Sequence, residues 1–310
     1  VLESIFVCAV DLFMLISGYF MVYSTKRNMW KPIQLFVQVS IFSAAKYIIV
    51  QGIINNSFKL PGLFRSVIPT NYFVILYVVV FVVSPYINLL FEQLNDEQML
   101  RFISLLIFVF SIWPTTVDVL RELTKTELLG LSSIGMYGSQ YGYSAVNFIL
   151  CYCVGAFIKK SEDKLRAIKV RTLLFIISAA VAVLTAWAVI NDKVGFFSEK
   201  SAWEYCNPLV ILLAVCFFLL FKRIVIGYNK VINSLAKSSF TVYLLHINLV
   251  THIGINQFVN CDVWILMVHM ICSAIFIYVL CWGIYLVYSR IEEYVFSKLK
   301  KAIRLPSIDI

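Results

Sequence analysis

A chain of 310 residues that is 61% hydrophobic and only 14% charged, with mean hydropathy +0.87, has too few charges to cover a water-facing surface and is excluded from the soluble domains. Net charge +9 and a pI near 9.1 raise nucleic acid as a partner, but the cations lie in short loops between apolar runs, so no nucleic acid is expected. The eight cysteines (Cys8, Cys151, Cys153, Cys206, Cys216, Cys261, Cys272 and Cys281) fall mostly within apolar runs and read as small buried hydrophobes. Cys151 and Cys153 diverge on a helix, and no His or carboxylate completes a zinc set, so neither a metal nor a disulfide framework is expected.

Nine apolar runs, several of them about 20 residues long, suit a hydrocarbon core of about 30 Å. They cover 2–23, 33–54, 72–91, 102–119, 143–158, 172–190, 207–221, 238–257 and 263–288. The expected fold class is all-α: a polytopic helical membrane bundle of about nine transmembrane helices over 1–289, followed by an amphipathic basic tail over 290–310. The first run is not expected to be a signal peptide, because it shows no charged n-region and no cleavage site.

The first run, VLESIFVCAVDLFMLISGYFMV, places Glu3, Val7, Asp11, Met14 and Gly18 on one helical face. A buried Asp is costly unless paired, so Asp11 is either a functional carboxylate or a helix-packing contact supported by the small pair Ser17 and Gly18. Glu3 reads as a solvated helix end. The turn STKRNMWKP follows, and its Lys26, Arg27 and Lys31 are either a topology signal or a phosphate-binding cluster. Lys46, deep in the second run, reaches the surface by its long stem or pairs with Asp11. The loop at 120–142 carries Tyr137 and Tyr141, which fit an interfacial belt better than a sugar platform.

In the eighth run, KSSFTVYLLHINLVTHIGINQ, Ser239, Tyr243 and His246 recur at i, i+4 and i+7 and form a polar stripe. Ionisable groups inside hydrocarbon face protein or a wet cavity, so the stripe is expected to look inward onto a cavity shared with Asp11. His252 and His269 read as packed or hydrogen-bonded. The tail SRIEEYVFSKLKKAIRL mixes apolar and basic residues, as a helix lying on anionic lipid does. With loops assigned alternately, nineteen Lys and Arg fall on one side and six on the other, which puts the C-terminus in the cytoplasm and the first residue outside.

VDLFMLISGYFM with its basic turn resembles the second helix of the acyltransferase 3 family, which carries an Asp-Leu-Phe-Phe-x-x-Ser-Gly-Phe type of motif. YFVILYVVVFVVSPYINLL, YSAVNFILCYCVGAFIKK and INSLAKSSFTVYLLHINLV resemble further segments of that family in matching order, especially its Gram-positive surface-polysaccharide branch. The resemblance implies a multi-pass O-acyltransferase of the cell membrane that moves an acyl group, usually acetyl, from cytoplasmic acyl-CoA to a sugar hydroxyl of an exported glycan. It also implies ten helices in the full family fold. The leading helix with the catalytic histidine is expected ahead of Val1, and without it the chain is expected to be inactive. Lys26, Arg27 and Lys31 match the family's donor-contacting arginines only loosely.

Acyl transfer to a hydroxyl needs a base, a held donor and stabilisation of the developing oxyanion. Asp11, Ser17, Tyr243 and His246 are the candidates around the thioester, His246 in support of a principal base elsewhere. Acyl-CoA, the glycan acceptor and membrane lipid are the expected partners. Two other readings fit the same residues: a transporter or flippase whose polar residues line a route, and a catalytically silent accessory subunit.

Overall fold

The structure, a computed structural model, describes residues 1–24, 26–126, 131, 142–194, 202–250, 258, 260–303, 305, 307 and 308. Tyr137, Tyr141 and His252 lie outside the described residues. Helix dominates, and among the described residues the only strands are β1, Arg27–Asn28, and β2, Ser307–Ile308, which pair antiparallel. The helices are α1 Leu2–Phe6, α2 Ala9–Met21, α3 Trp30–Tyr47, α4 Leu60–Val67, α5 Tyr72–Gln93, α6 Asp96–Ile107 and α7 Trp113–Thr124. They continue with α8 Ala145–Lys160, α9 Glu162–Arg166, α10 Val170–Val194, α11 Pro208–Phe221, α12 Lys230–Val250 and α13 Val263–Ala302.

Within the described residues, every one of the nine apolar runs coincides with helix, as an all-α membrane bundle requires. Among the described residues, six helical stretches are long and apolar enough to cross a membrane: Leu2–Met21, Trp30–Ile54, Leu60–Gln93, Asp96–Arg121, Val170–Lys193 and Val263–Ala302. The remaining runs form α8, α11 and α12. At 16 and 14 residues, α8 and α11 rise only about 24 and 21 Å, short of a full hydrocarbon core. The segment at 290–310 begins as a direct continuation of α13, which runs unbroken to Ala302.

Two compact units divide the chain: Val1–Met29 with Thr70–Val225 and Ser307–Ile310, and Trp30–Pro69 with Ile226–Pro306. In the first unit, α2 crosses α8 at backbone contact. A Cβ added to Gly18 would stand 2.0 Å from the Tyr152 carbonyl oxygen, and one added to Gly155 would stand 2.0 Å from that of Leu15. Glycine at both positions therefore sets the helix separation. Met14, Leu15, Phe148, Tyr152 and Leu213 fill the surrounding core. A π turn at Phe108–Ile112 precedes Pro114, whose missing N–H already interrupts the α register, and turns Ser111 to donate to the Cys206 carbonyl at 2.7 Å. In the second unit, α12 lies along α13, with Trp282 donating to Ser234 at 2.9 Å, and Gln38 of α3 donates to Thr241 of α12 at 2.9 Å. Phe42 against Tyr288 and Trp30 against Phe296 join α3 to α13.

Candidate functional site

Asp11 sits on the buried face of α2, 1% exposed. The N-terminal turn of α8 meets it: Ser144 caps that turn by accepting from the Asn147 backbone N–H, and the Asn147 side-chain amide donates to Asp11 Oδ1 at 3.2 Å. Asp11 Oδ2 and Asn147 Oδ1 meet no hydrogen-bond donor of good geometry among the described residues, although the Cys151 thiol, a weak donor, lies beside the carboxylate. Two adjacent buried acceptors in want of donors can take a proton, a water or a hydroxyl group. Ser17 is half-exposed on another face, its hydroxyl bonded to the Phe13 carbonyl of its own helix at 2.9 Å. Glu3 and Lys46 are exposed.

The basic turn after α2 splits in its roles. Arg27 is buried, 3% exposed, and its guanidinium donates to Ser84 Oγ at 3.0 Å and to the carbonyls of Ser24 and Lys26 at 2.6 and 3.2 Å. Asn88, one turn after Ser84 on α5, donates to the Met21 and Ser24 carbonyls at 2.7 and 2.8 Å and accepts from the Tyr152 hydroxyl at 2.8 Å. The open carbonyl end of α2 is thus capped by two side chains, Arg27 from the turn that follows and Asn88 from α5, the latter held by Tyr152 of α8. Lys26 and Lys31 are exposed, the former in the first unit and the latter in the second. Ser84, Asn88, Tyr152 and Asn147 did not stand out in the sequence. The available signal was Ser84 and Asn88, four residues apart in an otherwise apolar run.

A second charged group gathers where α8 and α11 end. Glu162 accepts from the Tyr19 hydroxyl at 2.8 Å, Lys159 at 2.9 Å and Lys222 at 2.6 Å, and both ammonium groups lie 4.9 Å from the Tyr19 ring centroid. Lys222 first, then Lys159 and Tyr19, hold the Glu162 carboxyl down from its ordinary 4.5 to about 2. A depressed folded-state pKa stabilises fully above the unfolded value and loses that contribution as pH falls through the folded one. Glu162→Gln should therefore lower the melting temperature in detergent by about 2 °C at pH 7, where solvent screening keeps the ion pairs near about 1 kcal/mol. The gap should close between pH about 4.5 and about 2; a gap unchanged at pH 3 would remove the charge from the explanation.

In the second unit the stripe of α12 is half-buried. Ser239 shares a hydrogen bond with Tyr278 of α13 at 3.3 Å, and the deepest polar positions are Ser238 and Thr241. His246 Nδ1 lies 3.0 Å from the Val242 carbonyl and 2.9 Å from that of Tyr243, whose ring is 6.3 Å away. Both neighbours accept only, so Nδ1 carries a proton, and Nε2 is the ring nitrogen left to exchange one. His269 stacks on Phe258 at 3.9 Å. Asp11 belongs to the first unit and His246 to the second.

Comparison with curated proteins and with solved structures found no match. A family model described as an acyltransferase domain does match, over residues 1–286, which takes in the DLFMLISGYF segment, the capped α2 and the α12 stripe. The chain therefore belongs to the acyltransferase 3 family and is a multi-pass membrane acyltransferase.

Proposed function

We propose that this acyltransferase is an O-acetyltransferase of the cell membrane, carrying an acyl group from acyl-CoA on the cytoplasmic side to a sugar hydroxyl of a surface or exported polysaccharide. The C-terminus is cytoplasmic in this reading, on the side that holds nineteen of the 26 Lys and Arg. The observation that carries the reaction type is His246, whose anchored Nδ1 leaves Nε2 to accept a proton from, or orient, a nucleophilic hydroxyl within a family of acyltransferases. Asp11, buried with an oxygen in want of a donor, is the second polar group assigned to the reaction, and Tyr243 and Ser17 are supporting positions. Exposed Lys26 and Lys31 supply charge for the donor's phosphates, and Arg27 holds the turn that carries Lys26.

In cells expressing the intact protein, His246→Ala should lower O-acetylation of the surface polysaccharide at least tenfold, at the lower end of what positioned acid–base groups contribute. Membrane abundance should stay near wild type, because among the described residues the imidazole bonds only to its own helix. Acetyl groups released by mild base and counted per repeat unit give the readout. Unchanged acetylation in a well-expressed variant would leave His246 a packing residue and take away the support for proton transfer.

A further inference from the structure

The ends of α8 and α11, together with α9, line a partly open cleft of about 500 Å³, within the size range of small-molecule sites. Its lining combines apolar side chains, Leu165 and Leu219 among them, with the charged Glu162, Arg166, Lys222 and Arg223. The single carboxylate is already matched by two lysines and a tyrosine hydroxyl. Arg223 is clamped, its Nη2 donating to the carbonyls of Ile168 and Arg166, and its Nε and Nη1 have no partner among the described residues. Arg166 is exposed at the rim, also without a side-chain partner among them. The cleft therefore has an excess of positive charge, a guanidinium fixed before any ligand arrives, and apolar side chains in the same lining.

We propose that this cleft binds the phosphate group of an organic phosphate, seating the phosphate on Arg166, Lys222 and Arg223 and the attached apolar or aromatic group against Leu165 and Leu219. Guanidinium groups suit this ligand because their planar fork meets two phosphate oxygens at once. Two sources carry that chemistry: coenzyme A, which deepens and rests on the donor reading given above, and an anionic phospholipid headgroup.

The test compares the intact protein with Arg166→Glu and with Lys164→Glu, a nearby reversal outside the cleft at a lysine paired to exposed Asp96. Binding of radiolabelled coenzyme A is measured in phosphatidylcholine nanodiscs. Thermal stabilisation is measured on exchange into nanodiscs of phosphatidylcholine with 30% phosphatidylglycerol. Reversing the rim charge should weaken coenzyme A binding about tenfold, while Lys164→Glu changes it less than twofold. A loss confined to Arg166→Glu in either arm supports the phosphate site, and the arm that responds names its source. Should the wild type bind no coenzyme A while the phosphatidylglycerol effect depends on Arg166, the site stands and the donor reading falls. Coenzyme A bound equally by all three proteins, with no lipid effect tied to Arg166, overturns the site and leaves the donor reading in place. No response to either ligand overturns both.

Discussion

Gly18→Ala and Gly155→Ala should each cost the protein about 3 kcal/mol or more, and the double variant should fail to accumulate in the membrane. A new Cβ at either glycine lands 2.0 Å from a backbone carbonyl oxygen of the facing helix, and backbone cannot rotate away as a side-chain tip can. Helices α2 and α8 would have to separate, giving up dispersion contacts among Met14, Leu15, Phe148 and Tyr152 across the core of the first unit. Gly283 supplies the control: it lies inside α13 with nothing within 4 Å of a built Cβ, so Gly283→Ala should be neutral or stabilising by up to about 1 kcal/mol. Fluorescence-detected size exclusion after heating separates the two behaviours. A Gly155→Ala protein that melts with the wild type would show that the crossing yields easily and is not set by these glycines.

Arg27→Ala should be nearly as damaging, by about 3 kcal/mol, and the damage should appear as lost stability before it appears as weaker donor binding. Removing the guanidinium strips the buried Ser84 hydroxyl and the Ser24 and Lys26 carbonyls of a charged donor in one step. Arg27→Lys should recover only part of the loss, because an ammonium group cannot reach three acceptors in the geometry of the planar fork. Melting temperature and the donor Michaelis constant, measured on the same preparations, distinguish the two roles. A protein that melts normally but binds donor poorly would make Arg27 a ligand-contacting residue. A melting temperature lowered by several degrees in both variants supports its place as the cap of α2.

The same residue shows how far the sequence could be followed. Lys26, Arg27 and Lys31 form one basic group in the chain, and residue type alone assigns all three to a topology signal or to phosphates. Burial separates them: Arg27 turns into the protein, where α5 offers Ser84, and its neighbour Asn88 takes the remaining carbonyls. The pairing joins positions 57 or more residues apart, and no local pattern announces it. Of the Ser17 and Gly18 pair, Gly18 packs against the facing helix as the sequence suggested, while Ser17 lies half-exposed on another face. The counterpart of Gly18, Gly155, lay unnoticed inside YCVGAF, since a glycine marks a crossing only once the opposite helix is known.

What the sequence determined by itself was the solvent and the secondary structure. Apolar runs matched to the hydrocarbon thickness must be helical, because a helix satisfies its backbone hydrogen bonds locally where water is absent, and both properties belong to the run alone. Membership of the acyltransferase 3 family was likewise legible in DLFMLISGYF and the ordered segments after it. The tertiary structure decided which distant segments share a compact unit, which carbonyls receive which caps, and where charge gathers around a cleft. Those outcomes depend on contacts between residues remote in the chain: Asp11 with Asn147, Tyr19 with Glu162, Asn88 with Tyr152. A buried polar group must find its partner in three dimensions, and the sequence records only that it will need one.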